Sequence, residues 1–175
     1  MYYIGIDPST SSTGYAVVNK KKEIIKVGKI DGLADSPETF ARLYKELVQL
    51  FEDYPPVMVL CENQYFGGNT DTLIKISRPG GVVLAAVGLF DTMFDFIMPS
   101  SWRKEYLGDG GLSKRESYDQ IIKTYPELIK AIEPYALLKN GKVSQTRLFT
   151  KGNDITDAVG LACACVTLAE EKNDE

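Results

Sequence analysis

The chain contains no histidine among its 175 residues. An imidazole general base, a Ser-His-Asp triad and a histidine-rich metal site are therefore excluded. Carboxylates are plentiful, with 24 aspartates and glutamates against 20 lysines and arginines. Acid–base or metal chemistry in this protein must therefore depend mainly on carboxylates.

Cysteines and long apolar stretches are also scarce. Cys61, Cys163 and Cys165 are odd in number, lack C-x-x-C spacing and lie in apolar runs, so we expect buried thiols rather than disulfides or zinc ligands. No run approaches the roughly 18 to 20 apolar residues that span a bilayer, and the N-terminus lacks the pattern of a secretory signal. We expect a cytoplasmic protein without membrane contact, formed by one domain over residues 1–175.

The net charge of −4 is unevenly distributed. Residues 101–151 contain ten lysines and arginines against six acids, an excess of four positive charges, whereas the rest of the chain carries −8. A basic surface that covers the whole protein is excluded, but a local basic region for a polyanionic partner is not.

The first half of the chain predicts three antiparallel strands, then a helix and a buried strand. The strands are expected at 2–7, 14–18 and 23–30, with the helix at 36–54 and the fourth strand at 57–61. Ser36 followed by Pro37 is typical of a helix start. The sequence therefore favours an α/β fold with a mixed five-stranded sheet, antiparallel in strands one to three and extended by parallel strands, with flanking helices.

The second half predicts the remaining helices and one more strand. Residues 70–93 are compatible with a helix that is kinked or divided at Arg78–Gly81, and its part from Gly81 to Phe90 is apolar on nearly all sides. Such a helix is either buried centrally or covered by a partner subunit, and both alternatives stay open. The fifth strand is expected at 94–98 and two helices after it, a short one following Ser101 and one opened by a capping box at Ser113.

The chain turns polar from Pro134 to Gly152, where Asn140 and Gly141 indicate a tight turn. We expect a mobile loop or a small hairpin in this segment. Asn153 is then expected to cap a last helix that runs to about residue 171.

Four acids occupy positions from which they can converge. Asp7 and Glu62 end the first and fourth predicted strands, at the sheet edge where α/β proteins usually bind ligands. Asp154 and Asp157 lie three residues apart and share one helical face. Each has a structural alternative as well, since Asp7 before Pro8 fits a turn and an acid such as Asp154 stabilises a helix N-terminus.

A pocket that gathers four carboxylates implies bound cations. Like charges in a low-dielectric site repel strongly or take up protons unless positive ions neutralise them. Oxygen ligands suit Mg²⁺ or Mn²⁺, and two such ions about 4 Å apart can activate a water molecule against a phosphodiester. The sequence therefore predicts a nuclease with two metal ions per site.

Several motifs in this order resemble the RuvC family of Holliday junction resolvases. They are GIDPSTSSTGYAV at 5–17, CENQY at 61–65, the apolar helix from Gly80, PSSWRK at 99–104 and NDITDA at 153–158. The motifs extend over most of the chain and are specific in combination. The resemblance implies an RNase H-like fold, a homodimer, and paired nicks at four-way DNA junctions or other branched DNA such as forks.

The resemblance also assigns site residues. It makes Asp7, Glu62, Asp154 and Asp157 the catalytic metal ligands. Tyr65 takes the place of an aromatic residue that stacks on junction bases, and its neighbour Phe66 can serve instead. Basic DNA contacts and a catalytic lysine fall on Arg103 and Lys114, with Lys104 and Arg115 beside them. Arg103 stands where the family usually has lysine, so the choice between it and Lys104 stays open.

Other functions are compatible with parts of this pattern. An RNase H-like nuclease acting on RNA or on an RNA–DNA hybrid would share the metal chemistry, and a catalytically silent module could bind branched DNA. The small-residue loop at 7–14 also resembles the phosphate loop of actin-like ATP-binding proteins, although those need a second domain. Both a bacterial and a phage-encoded protein agree with the chain's size.

Overall fold

The computed structural model describes residues 1–63 and 70–173, and five strands form one sheet in the order β3-β2-β1-β4-β5. The strands are β1 (Tyr2–Pro8), β2 (Ser12–Asn19), β3 (Ile24–Asp31), β4 (Pro56–Glu62) and β5 (Met93–Ile97). Strand β2 is antiparallel to both β1 and β3, whereas β4 is parallel to both β1 and β5. The predicted mixed sheet is confirmed.

Six helices accompany the sheet in the described ranges. They are α1 (Pro37–Asp53), α2 (Thr70–Val87), α3 (Pro99–Leu107), α4 (Lys114–Thr124), α5 (Leu128–Ala136) and α6 (Gln145–Asn173). Ser36 caps α1, and the capping box between Ser113 and Glu116 opens α4, as predicted. Helix α2 continues through Pro79 as one helix, so the chain is not divided there. Within these ranges, no helix is long and apolar enough to cross a membrane.

The prediction for residues 134–153 is partly wrong. The expected hairpin forms, with a bridge between Leu137 and Val143, but α6 begins at Gln145, so Asn153 lies inside the helix and does not cap it. Leu148 is buried, and a Cβ at Gly152 would overlap the side chain of Ile132 on α5. Packing against α5, a helix that the sequence pattern missed, therefore stabilises the first turns of α6.

Helix α6 crosses one face of the sheet over β1 and β2, while α1 and α2 cover the other face. Glycines on β1 and β2 let the backbone of α6 approach the sheet closely. A Cβ at Gly5 of β1 would overlap the backbone of Ala158 and Ala162, and a Cβ at Gly14 of β2 would overlap the Asp154 carbonyl group. The backbones of helix and sheet are thus in direct contact beside the carboxyl end of β1.

The three cysteines are all buried and none forms a disulfide, as expected. Cys61 lies on β4, whereas Cys163 and Cys165 lie on α6. Burial is the main cause that raises the pKa of both the Cys61 and the Cys163 thiol. These thiols belong to the hydrophobic core.

Candidate active site

Asp7 and Glu62 lie side by side at the carboxyl ends of two neighbouring parallel strands. Ile6 pairs with Cys61 in the register, so the next residue on each strand is an acid. Asp7 is 6% exposed and Glu62 is 8% exposed. The sheet therefore holds two carboxylates in a largely dry position, as the sequence predicted.

Helix α6 adds the other two acids. The close contact at Gly14 fixes the backbone of Asp154 against β2, and Asp157 follows one turn later with an exposure of only 1%. Asp154 is the more accessible of the two, with a side-chain exposure of 16%. Both acids lie in the interior of α6 rather than in its first turn, so the structural alternative of an acid at the helix N-terminus does not apply to Asp154.

Burial and mutual repulsion disfavour the charged forms of Asp7, Glu62 and Asp157. The pKa of Asp7 lies well above its usual range because of burial first, then the charges of Glu62, Asp157 and Asp154. Burial also raises the pKa of Glu62. Burial and then Glu62 raise the pKa of Asp157 to about 7. The charges of these three acids oppose one another, as expected for groups that a cation would neutralise.

Two of the acids have polar partners that the sequence analysis did not identify as site residues. The indole nitrogen of the fully buried Trp102 donates to Glu62 Oε2 at 2.8 Å. Its hydrogen bond is the largest influence that lowers the pKa of Glu62 against the effect of burial. Trp102 thus holds the Glu62 side chain in place and favours its charged form.

Asp154 has a second set of partners. Its Oδ2 accepts a short hydrogen bond from the Ser12 hydroxyl, and it lies 3.3 Å from Lys29 Nζ. The Lys29 side chain is only 4% exposed, and its ammonium group also lies 3.3 Å from Asp31 and over the ring of Tyr135. Lys29 pairs with Gly14 in the strand register, and Gly14 is the point of close contact with Asp154 on α6.

Asp157 has a buried oxygen without a hydrogen bond. In the described parts of the chain its buried Oδ2 has no hydrogen-bond partner, and the nearest cation is Lys114 Nζ at 3.9 Å. The Lys114 side chain is 58% exposed, so it extends from solvent towards Asp157. An orphaned carboxylate oxygen in a pocket of acids fits a site for a hard cation.

The carboxylates do not form a completed metal site as they stand. Within residues 1–63 and 70–173, no three acidic or cysteine side chains are arranged to hold one ion. Glu62 is held by Trp102, and Asp154 by Ser12 and Lys29. The donor set and the electrostatics fit a divalent cation, whereas these two side chains are oriented towards protein partners.

The predicted basic contacts occupy different environments. Arg103 is 8% exposed, bonds the Leu112 carbonyl group through Nη1 at 3.3 Å, and lowers the pKa of both Glu62 and Asp157. Lys104 is exposed. Arg115 pairs with Asp119 and lies over the ring of Phe149. Tyr65 and Phe66 lie outside the described residues.

Known proteins share this sequence pattern and fold. A family model described as crossover junction endodeoxyribonuclease RuvC matches residues 3–138. The RuvC protein of Bdellovibrio bacteriovorus is 33% identical over 127 residues, which cover 69% of this chain and 74% of the relative. The RuvC protein of Dictyoglomus thermophilum is 26% identical over 172 residues, which cover 95% of this chain and 96% of the relative.

Among solved structures, Thermus thermophilus RuvC in complex with a Holliday junction substrate matches with a TM-score of 0.71. The sequences are 17% identical, and the match covers 98% of this chain and 96% of that chain. The sheet order, the flanking helices and this match define the class of protein, an RNase H-like nuclease fold.

The particular family follows from the sequence comparisons. This chain belongs to the RuvC family of crossover junction endodeoxyribonucleases. It is an endonuclease of that type, in a family of metal-dependent nucleases. The alternatives of an actin-like ATP-binding protein and of a nuclease for RNA or hybrids are not favoured.

Proposed function

We propose that this endonuclease cuts four-way DNA junctions and related branched DNA by paired nicks, with Asp7, Glu62, Asp154 and Asp157 as its catalytic metal ligands. The main support is the burial of Asp7, Glu62 and Asp157 beside one another, which is electrostatically unfavourable unless cations bind. The Thermus thermophilus RuvC with the same fold is known in complex with a Holliday junction. A DNA substrate agrees with the cytoplasmic location expected from the sequence.

The metal is proposed to be Mg²⁺ or Mn²⁺, with two ions per site. When bound, such ions lower the pKa of a water molecule and stabilise the leaving oxygen of a phosphodiester. Asp7 and Glu62 offer oxygens from neighbouring strands, and Asp157 offers Oδ2, which accepts no hydrogen bond from the described residues. Asp154 offers the oxygen that Ser12 and Lys29 leave free.

The basic side chains of the chain are proposed to act on the DNA phosphate. Lys114 reaches from solvent to within 3.9 Å of Asp157, so its ammonium group can contact a phosphate oxygen beside the acids. Arg103 keeps a fixed positive charge near Glu62 and Asp157, which offsets part of their repulsion. Lys104 and Arg115 are exposed at the same helices and are proposed as outer phosphate contacts.

Tyr65 is proposed to stack on a base at the opened junction, with Phe66 as the neighbour that can replace it. Both residues follow Glu62 closely in the sequence, so a stacked base would lie near the site of cutting. The protein is also proposed to act as a homodimer, because paired nicks require two active sites on one junction.

A cleavage assay with labelled DNA tests the proposed function. Asp7→Asn and Glu62→Gln each remove one carboxylate charge with little change in shape, and we expect cleavage of a four-way junction to fall below about 1% while junction binding is retained. The panel includes forks, linear duplex and RNA–DNA hybrid, each with Mg²⁺, Mn²⁺ or a chelator. Mapping of the cut positions shows whether nicks are paired.

The same assay includes a control for the assignment of the acids and a test of Tyr65 as the stacking residue. Glu52→Gln changes an exposed glutamate on α1, on the other face of the sheet, and should cleave like the wild type. In Tyr65→Ala we expect slower cutting and weaker distortion of the junction. Full Mg²⁺-dependent activity in Asp7→Asn would show that the acids are misassigned, and preferential cutting of the hybrid would reject branched DNA as the substrate.

A further inference from the structure

We propose that residues 137–151, which we call the basic arm, form a second contact surface for the DNA backbone next to the acids, an inference that rests on the proposed function. The arm comprises the hairpin bridged by Leu137 and Val143 and the first two turns of α6. It begins where the match to the family model ends, at residue 138. The predicted site residues and the cleavage proposal do not use it.

The charge of the arm favours a polyanionic partner. It contains Lys139, Lys142, Arg147 and Lys151, and no aspartate or glutamate. All four side chains belong to exposed residues. In a chain with a net charge of −4, a run of 15 residues with four positive charges and no negative one is a local exception.

The hairpin is held by its own backbone and does not need the side chains of Lys139 and Lys142. Leu138 donates to Lys142 at 2.9 Å, Gly141 donates to Leu138 at 2.9 Å, and Gly141 has a φ of 77°, which suits the turn. Arg147 donates through Nη1 to the Leu137 carbonyl group at 2.6 Å and so ties the hairpin to α6. The side chains of Lys139 and Lys142, at the tip of the hairpin, therefore take no part in these contacts.

The arm leads directly to the proposed active site. Arg147, Lys151 and Asp154 follow one another at i, i+4 and i+7, so they lie on one face of α6. Lys151 and Asp154 line the same polar cleft of about 420 Å³, and Lys29 donates to the Lys151 carbonyl group at 3.3 Å. The positive charges thus begin beside the acids and continue outwards along the helix.

A second basic element lies alongside the arm. The Arg115 guanidinium of α4 lies 5.1 Å from the ring centroid of Phe149, within the arm, while the neighbouring Lys114 reaches Asp157. The start of α4 and the first turns of α6 therefore present positive charges next to one another, beside the acids. This arrangement fits a nucleic-acid strand that passes the acids and continues along the arm.

The length of the arm along α6 agrees with the spacing of phosphates in a DNA strand. Seven residues of α6 separate Arg147 from Asp154, which corresponds to about 10 Å along the helix axis. Each DNA strand carries one phosphate per about 3.4 Å of duplex axis, so the arm would contact phosphates about three or more nucleotides from the cut. Such contacts position the substrate and do not select its sequence.

The test measures binding of a labelled four-way DNA junction by the full-length protein, without divalent metal so that no cleavage occurs. Lys139→Gln/Lys142→Gln removes two charges at the tip of the hairpin. Lys21→Gln/Lys45→Gln is the matched control, because it removes two exposed lysines from the β2–β3 turn and from α1. Affinity is measured by fluorescence anisotropy between about 50 and 200 mM salt.

We expect the arm variant to bind about tenfold more weakly near 100 mM salt, with the slope of log affinity against log salt reduced by about 1 to 2. The control should match the wild type in both quantities. In the presence of Mg²⁺, saturating protein should restore the cleavage rate of the arm variant, since the acids are unchanged. Circular dichroism and thermal unfolding show whether both variants fold.

Three results would overturn the proposal. They are unchanged binding by the arm variant, equal weakening in the control, and a changed sedimentation coefficient with unchanged DNA binding, which would assign the arm to a protein contact. These results are distinct from failure of the proposed function, in which the wild-type protein itself would neither bind nor cut the junction.

Discussion

Asp157 is the least exposed of the four acids. It is 1% exposed, its Oδ2 has no hydrogen-bond partner among the described residues, and burial next to Glu62 raises its pKa to about 7. An acid whose pKa is higher in the folded than in the unfolded state binds protons more readily when folded. Its contribution to stability is therefore full in acid and is lost as the pH rises from about 4 to about 7.

Asp157→Asn should therefore stabilise the protein at pH 8 in the absence of metal. The amide carries no charge, so we expect the free energy of unfolding to rise on the order of 2 kcal/mol at about pH 8 and to change little at about pH 4. Urea unfolding in a chelating buffer measures both values. Asp91→Asn, at an exposed position, is the control. Equal stability of the wild type at the two pH values would contradict the expectation.

The residues of the site were predictable to different degrees. Asp7 and Glu62 could be placed because each ends an apolar strand, a property of the local sequence. Ser12, Lys29 and Trp102 contact the acids across 142, 125 and 40 residues of sequence, so no local spacing announces them. Only the packing of α6 and α3 on the sheet creates these pairs.

At the scale of elements, the position of α6 decides whether the acids meet. The sequence predicted the helix and the common face of its two aspartates, but it placed the start at Asn153 instead of Gln145. The missing turns depend on contacts with α5, which are long-range and polar at their edges. The approach of α6 to the sheet depends in turn on two strand positions without a side chain, Gly5 and Gly14.

Gly14→Ala tests that dependence. The added Cβ would overlap the carbonyl group of Asp154, so α6 must shift away from β2 and carry Asp154 with it. We expect a loss of about 1 to 3 kcal/mol in the free energy of unfolding, as for other overpacked cores, and cleavage at least about tenfold slower. Urea unfolding and the junction-cleavage assay measure the two effects.

Gly88→Ala is the matched control for this substitution. Its Cβ would lie 3.5 Å from the nearest carbonyl oxygens, which is an ordinary contact, so stability and cleavage should stay near the wild-type values. If Gly14→Ala retained wild-type stability, the close approach of helix and sheet would not be a constraint on the site.

At the scale of the whole molecule, α2 leaves an apolar surface open. Its residues Val83, Ala86 and Val87 are buried, but Leu84 is 49% exposed and Ile74 is 45% exposed. Leu84 and the partly exposed Phe96 of the edge strand β5 line a groove of about 310 Å³ that reaches Glu62. The sequence left two alternatives for this apolar helix, burial in the centre of the protein or cover by a partner subunit. The exposure of Leu84 excludes central burial on this face. An exposed apolar surface of this kind is typical of an interface.

The proposed homodimer places this surface between two copies of the chain. Each copy would cover the open face of the other α2. A twofold axis is also the symmetry of a four-way junction cut at two equivalent strands. The interface and the paired nicks are therefore two consequences of one arrangement.

Leu84→Glu should separate the copies. In a twofold interface the substitution occurs twice and buries two carboxylates in apolar surroundings, so we expect the dimer dissociation constant to rise at least about 100-fold, or about 2.7 kcal/mol. Ile25→Glu on β3, at a residue that is 42% exposed on the opposite edge of the sheet, is the control. Analytical ultracentrifugation then distinguishes the monomer of 19.4 kDa from a species of twice that mass.

Loss of the dimer should also change the products of junction cleavage. A Leu84→Glu monomer retains all four acids, so it should still nick a junction but leave the second strand uncut in the same binding event. Nicked junctions should accumulate, whereas the wild type and Ile25→Glu should release linear products. A wild-type protein that is a monomer at micromolar concentration and still makes paired cuts would contradict the proposed homodimer. The open face of α2 would then have to bind a different partner.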